Sequence, residues 1–220
     1  MTDYSSRRFQ KLSPKKQQAI IQAAIEEFSE HGYENANTNR IAASAGISVG
    51  ALFTYFDNKR QLFLAVTELG AQTIETLVES LLRQDTTTED KFEQLLRLIL
   101  KTSRRERSLV RLYHDLSSIG NKEIIDPLAT RLESYTAKAY EKLLDEGVRR
   151  GEVRSDIHLK MAAFHLDNLF LSLQYAYACD YYEARFGIYV SDNIHHETYD
   201  DFVVGETLKI LRGAFLTPRL

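Results

Sequence analysis

Apolar positions recur along this chain at helical spacing. Ile21, Ala24, Ile25 and Phe28 fall at i, i+3, i+4 and i+7, one face of a helix. Ser13 before Pro14 predicts its N-cap followed by a proline at the first helical position. Gly32 predicts its stop, as a left-handed C-terminal residue. A short helix is expected from Asn39 to Ala45, capped by Thr38 or Asn37 and closed at Gly46. Ser48 caps another short one, Val49 to Tyr55. Asp57 or Asn58 then caps a much longer helix carrying Leu62, Val66, Leu69, Thr73, Leu77 and Leu81.

After a polar break at Asp85 to Thr88 the stripes resume. Phe92, Leu95, Leu96, Ile99 and Leu100 make one; Leu109, Leu112, Tyr113 and Leu116 make the next, closing at Gly120. Leu128, Leu132, Tyr135, Ala139 and Leu143 make a third, ending near Gly147 to Gly151. Ser155 or Asp156 caps a helix running to about Tyr182, and a last helix spans roughly Asp201 to Leu216 with Val204, Leu208, Leu211 and Phe215. No alternating strand pattern competes with these, and no fixed-period repeat is present. The expectation is an all-α chain of about nine helices.

Met161 to Cys179 is apolar nearly all round, broken only by His165, Asp167, Asn168, Ser172 and Gln174. Such a helix must be covered on every face, as a central core helix or one shared with a second copy. Together with the final helix it suits a four-helix interface in a homodimer.

Composition adds three bounds. With 27% charged and 44% apolar residues the chain is globular rather than disordered. No apolar run approaches the roughly 18 residues that span a membrane, and Met1 to Gln10 is polar and basic, so neither a membrane span nor a secretory signal is expected. A single cysteine, Cys179, excludes an intrachain disulfide and a CxxC metal site, and a cytoplasmic setting is expected. The net charge of −3 is unevenly spread. Residues 1–60 hold 8 Lys/Arg against 6 Asp/Glu, a balance of +2, and the remainder carries −5. Arg7, Arg8, Lys11, Lys15 and Lys16 face only Asp3 in the first 16 residues. A basic leader suits a polyanionic partner, and it equally suits a solvated tail.

The sharpest signal lies between Asn37 and Lys59. Two short helices joined through Gly46 form a helix-turn-helix arrangement. Small Ala42 and Ala45 allow a close crossing, and Gly46 tolerates the left-handed turn. Ile47, Leu52 and Phe56 point inward, which leaves Ser48, Gly50, Ala51, Thr54 and Tyr55 facing a major groove. The same geometry is open to an ordinary helical hairpin.

The run Ser48-Val49-Gly50-Ala51-Leu52-Phe53-Thr54-Tyr55-Phe56-Asp57-Asn58-Lys59 resembles the TetR family of bacterial transcriptional regulators. So do Ala23-Ala24-Ile25-Glu26-Glu27-Phe28, His31-Gly32-Tyr33, Thr38, Ile41-Ala42 and Ala45-Gly46. The resemblance covers about the first 65 residues closely; beyond them it is one of helix number and order. It implies an N-terminal three-helix DNA-binding domain over 1–57 and a larger helical effector-binding and dimerisation domain over 58–220. It implies phosphate contacts at Thr38 and Lys59, a phosphate or sugar contact at Tyr55, and DNA contacts at Ser48, Val49, Gly50, Ala51, Phe53 and Thr54. Val49 and Phe53 are apolar where many relatives place polar or tyrosine side chains, and either residue is open to a core role. No Arg, Lys, Asn or Gln lies between Ser48 and Asp57, so bidentate base readout from this helix is absent. Thymine-methyl contacts, shape readout, or help from Asn39, Arg40 and the leader must carry preference.

The resemblance further implies a small-molecule pocket among the C-terminal helices. Tyr113, Tyr135, Phe164, Asn168, Phe170, Leu171 and Tyr175 are the candidate lining residues: aromatic walls with few polar groups. Each aromatic taken singly suits plain core. Asp167 and Asn168 need partners, and His165 suits a core or interface position. His195 and His196 with Glu197, Asp200 and Asp201 look like a metal cluster but share no ligand spacing on one helix face, so no metal is expected. Cys179 reads as a buried thiol. No nucleophile elbow, phosphate loop, HExxH or catalytic carboxylate pair is present, so an enzyme is not expected and no cofactor is implied. The expected protein is a repressor that binds a palindromic double-stranded operator as a homodimer and is released by a mostly apolar effector. The alternative is a helix-turn-helix regulator controlled by a protein partner, or without a ligand.

Overall fold

The computed structural model describes residues 4–116, 122–190 and 197–218. Among them run eleven helices and no strand. In order these are α1 (Arg7–Gln10), α2 (Pro14–Asn35), α3 (Thr38–Ser44), α4 (Val49–Tyr55), α5 (Lys59–Leu82), α6 (Thr88–Arg105), α7 (Arg107–Asp115), α8 (Lys122–Arg149), α9 (Leu159–Ala178), α10 (Asp180–Tyr189) and α11 (Glu197–Phe215). The all-helical expectation holds. Gly120, His195 and His196 lie outside the described residues, as do the side chains of Thr73, Leu128, Leu132 and Glu197.

Several boundaries differ from those expected, each for a local reason. Gly32 does not end α2. It sits at φ +69°, ψ 168° and kinks the helix, which resumes to Asn35. The basic leader carries a helix of its own, α1, capped by Ser6, whose hydroxyl accepts from the Phe9 N–H. The N-cap of α9 is His158 rather than Ser155 or Asp156, its Nδ1 accepting the Met161 N–H at 3.3 Å. The helix does not continue to Tyr182 either. Extended backbone at Cys179 (φ −113°, ψ 124°) separates α9 from α10. The last helix begins at Glu197, earlier than Asp201.

The chain folds as two compact units, Met1–Ile74 with Ser108–Leu132, and Glu75–Arg107 with Glu133–Leu220. In the first unit Phe28 and Phe63 meet edge-on at 5.0 Å, and Ile41, Ala42, Leu52 and Phe56 are buried around them. Phe9 of α1 joins this core, 5% exposed and 4.8 Å from the Phe56 ring. In the second unit Phe92, Leu95, Leu96 and Leu100 of α6 form one cluster with Leu166 and Phe170 of α9 and Leu208 and Leu211 of α11. The start of α6 is closed by a capping box of Thr87 and Asp90. The Glu152 carboxylate also accepts from the Thr88 N–H and hydroxyl, both at 2.7 Å.

Candidate nucleic-acid interface

Local caps set the two helices of the hairpin. The Asn37 side chain accepts the Asn39 N–H at 2.8 Å and so starts α3. Gly46, at φ +67°, makes the turn. The Ser48 hydroxyl accepts the Ala51 N–H at 3.1 Å and starts α4. In both helices an oxygen side chain meets N–H groups that would otherwise lack partners.

Glu27, 9% exposed on α2, anchors α3 from below. Its carboxylate accepts the Asn37 N–H at 2.7 Å and the Arg40 Nε–H at 2.9 and 3.0 Å. The Arg40 guanidinium, with the Asn37 N–H in support, holds the Glu27 carboxyl below its ordinary value of 4.5 against the opposing effect of burial. Arg40 is thus committed on one side to α2, while its side chain remains half-exposed.

The carbonyls at the end of α4 are met by the leader. The Ser6 N–H donates to the Tyr55 carbonyl and the Ser6 hydroxyl to the Thr54 carbonyl, both at 2.9 Å. α1 packs on α4, and its Arg7 and Arg8 are exposed. The leader is thus tied to the end of the candidate reading helix through Ser6, and Arg7 and Arg8 stand on the helix packed against it.

On that helix Ser48, Gly50 and Phe53 are exposed, and Ala51, Thr54 and Tyr55 are half-buried. Val49 packs in part against the first unit's core, whereas Phe53 stays 42% exposed. The Thr54 hydroxyl donates to the Gly50 carbonyl at 2.8 Å, which leaves its lone pairs outward for a donor. Thr38 is half-buried and Asn39 exposed at the start of α3. The Lys59 ammonium is occupied. It donates to the Glu34 and Ala36 carbonyls at 3.0 and 3.3 Å and lies 4.9 Å from the Tyr33 ring centroid. It ties the end of α2 to the start of α5, where Asn58 supplies the cap. All eleven DNA-contact candidates thus stand on α3, on α4 with its cap, or at the first residue of α5, within one unit. Glu27, Ser6 and Phe9 were not singled out from sequence. A charged residue at position 27, between buried Ala24 and Phe28, is the signal that marks the first of them.

The effector candidates are dispersed. Tyr113 packs against the core of the first unit. In the second unit Phe170 is core at 1% exposed, against Tyr140. Phe164 is 57% exposed, and Asn168 is exposed with its amide donating to the Phe164 carbonyl. Leu171 and Tyr175 are half-buried. Tyr135 alone among the seven lines a cavity of about 530 Å³ in the second unit, its hydroxyl donating to the Glu75 carbonyl at 2.9 Å. Asp167 is pushed up from 3.8 to about 6 by burial, helped by the Glu133 carboxylate. Cys179 is buried. Among the described residues no cluster of His, Cys, Asp and Glu could hold a metal ion, and no helix is long and apolar enough to cross a membrane.

A capped helical pair with a left-handed glycine turn, seated on a third helix and presenting a short-side-chain face, defines a helix-turn-helix DNA-binding protein. Residues 20–66 match the family model of bacterial regulatory proteins of the TetR family. It is 29% identical over 162 residues to the HTH-type transcriptional repressor AcnR of Corynebacterium efficiens, covering 69% of this chain and 76% of the relative. It is 27% identical over 151 residues to the fatty acid metabolism regulator protein of Bacillus subtilis, covering 65% and 73%. In fold it is similar to the transcriptional regulator FadR from Bacillus subtilis in complex with stearoyl-CoA, with a TM-score of 0.71 at 17% identity over 88% of this chain and 96% of that one.

Proposed function

We propose that the protein is a transcriptional repressor that binds an approximately palindromic operator as a homodimer and is released by an acyl or similarly apolar effector. The observation that carries the DNA reading is the exposed face of α4, Ser48, Gly50 and Phe53, flanked by the cations of α1. Short side chains let α4 approach base edges closely. Phe53 offers an apolar contact to thymine methyls, and the leader supplies phosphate contacts.

Dimerisation is supported by apolar side chains on the surface of α9 and α11. Met161 and Phe164 on the first, and Phe202 and Ile210 on the second, are about half exposed or more. Water-facing rows of this kind are what a second copy would cover. The acyl reading is supported by the fold neighbour that binds stearoyl-CoA. An effector acts only through unequal affinity for the DNA-bound and released forms. A hundredfold preference would supply about 2.7 kcal/mol, enough to weaken operator binding by the same factor.

The test is a titration of stearoyl-CoA and shorter acyl-CoAs into the protein bound to a fluorescent operator duplex. Loss of anisotropy at a chain-length-dependent concentration supports the reading. Unchanged anisotropy throughout, with the protein still folded and bound, refutes the acyl effector.

A further inference from the structure

We propose that a cavity in the second unit, the one lined by Tyr135 and Lys91, binds a phosphate monoester carrying an apolar tail, with the Lys91 ammonium as its anchor. The proposal deepens the effector reading and rests on it only for the consequence on DNA.

The cavity is built from the end of α5 and the turn after it, the first turn of α6, and one side of α8. Its volume of about 530 Å³ is that of a small-molecule site. Five cations and three carboxylates line it, an excess of +2. Each carboxylate is already engaged within the cavity. Glu79 accepts from Arg83 at 2.8 Å, Asp85 from Arg150 at 3.2 Å, and Glu146 faces Lys142 at 3.8 Å. Lys91 and Lys138 remain, and neither ammonium has a hydrogen bond or ion pair among the described residues.

Lys91 is the more telling of the two. The residue is 3% exposed, its stem is buried, and among the described residues its ammonium forms no ion pair with the acids of the cavity wall. A cation that opens on a cavity without a paired acid is one that a bound anion would match. The remaining wall is apolar: Leu82, Ala139, Leu143 and the Tyr135 ring. Two unmatched positive charges beside an apolar wall fit a head near −2 on an apolar body. A phosphate monoester carries about −1.5 to −2 at neutral pH, whereas a carboxylate supplies only half of that. A free phosphate would leave the apolar wall unused, and an uncharged tail would leave Lys91 unmatched.

The experiment is calorimetric titration of the full chain with octyl phosphate, inorganic phosphate, octanoate and 1-octanol. Octyl phosphate is expected to bind at least about tenfold more tightly than each of the others, since charge-assisted bonds and tail burial act together. Lys91→Met should weaken octyl phosphate about tenfold or more, leave 1-octanol unchanged, and not lower the thermal midpoint of the unliganded protein. Lys138→Met, at an exposed position that the fold does not need, should weaken octyl phosphate by about threefold and keeps the test open if Lys91→Met fails to fold. Octyl phosphate binding equally to wild type and both variants, 1-octanol binding as tightly as octyl phosphate, or no binding of octyl phosphate at all would each overturn the proposal. Binding that depends on Lys91 but leaves operator affinity unchanged upholds the anion site and removes the effector reading instead.

Discussion

The Arg40 guanidinium grips the Glu27 carboxylate, its Nε 2.9 and 3.0 Å from the two oxygens, and so fixes α3 on α2. The same carboxylate accepts the Asn37 N–H that begins α3. Glu27→Ala should therefore destabilise the first unit by about 2 kcal/mol, because a backbone donor and a half-exposed cation lose one acceptor together. The folded carboxyl lies below its ordinary value of 4.5, so its contribution is complete above that value and is lost as pH falls through the folded value. Thermal unfolding of wild type and variant should differ at pH 7 and converge below pH 4.5. A difference that grows in acid would contradict the pairing.

Adjacent residues on α4 should separate stability from recognition. Leu52 is 1% exposed and Phe53 42%. Leu52→Ala should cost about 2–5 kcal/mol of stability through the cavity it leaves. Phe53→Ala should leave the melting temperature within about a degree or two and change base preference at one or two operator positions. Parallel melting curves and competition binding with single-base operator variants measure both.

The leader is part of the head. Phe9→Ala should cost about 3 kcal/mol, since a ring buried beside Phe56 is removed. Replacing Arg7 and Arg8 by alanine should leave stability intact, because both are exposed, and lower the salt dependence of DNA binding by about two charges. An unchanged salt slope would show that these cations face away from the duplex.

Asp167 runs in the opposite pH sense to Glu27. Its carboxyl is raised from 3.8 to about 6 by burial and by Glu133. A raised acid weakens the fold once ionised, so stability falls as pH rises between 4 and 6. Asp167→Asn should raise the melting temperature at pH 7.5, and the gain should vanish towards pH 4. A variant less stable than wild type at pH 7.5 would show that the ionised carboxylate has a stabilising partner.

What was legible in the sequence was what the chain settles locally. Asn37, Ser48, Asn58 and Gly46 set helix ends within three residues of themselves, and all four act as their residue types suggest. Gly32 was legible as a positive-φ position but not as a kink, because the resumption of α2 up to Asn35 is no part of a glycine's own signature. The break at Cys179 carries neither glycine nor proline, so the apolar pattern ran through it. The docking of Ser6 on Thr54 spans 48 residues, and the cavity around Lys91 draws on helices more than 40 residues apart, so neither leaves a local pattern to read. Lys59 shows the limit of a resemblance: the residue fits the motif, yet its ammonium donates to the Glu34 and Ala36 carbonyls.

The central claim is that α3 and α4 read DNA as a symmetric pair. Selection of binding sites from a random duplex pool by the full chain tests it most directly, with Ala51→Glu as the control on the half-buried face of α4. The account predicts an enriched, approximately two-fold symmetric sequence whose half-sites lie about one helical turn apart or a multiple of it. It also predicts that Ala51→Glu enriches nothing while melting as the wild type does. An enriched sequence without two-fold symmetry, or the same sequence enriched by Ala51→Glu, would contradict it.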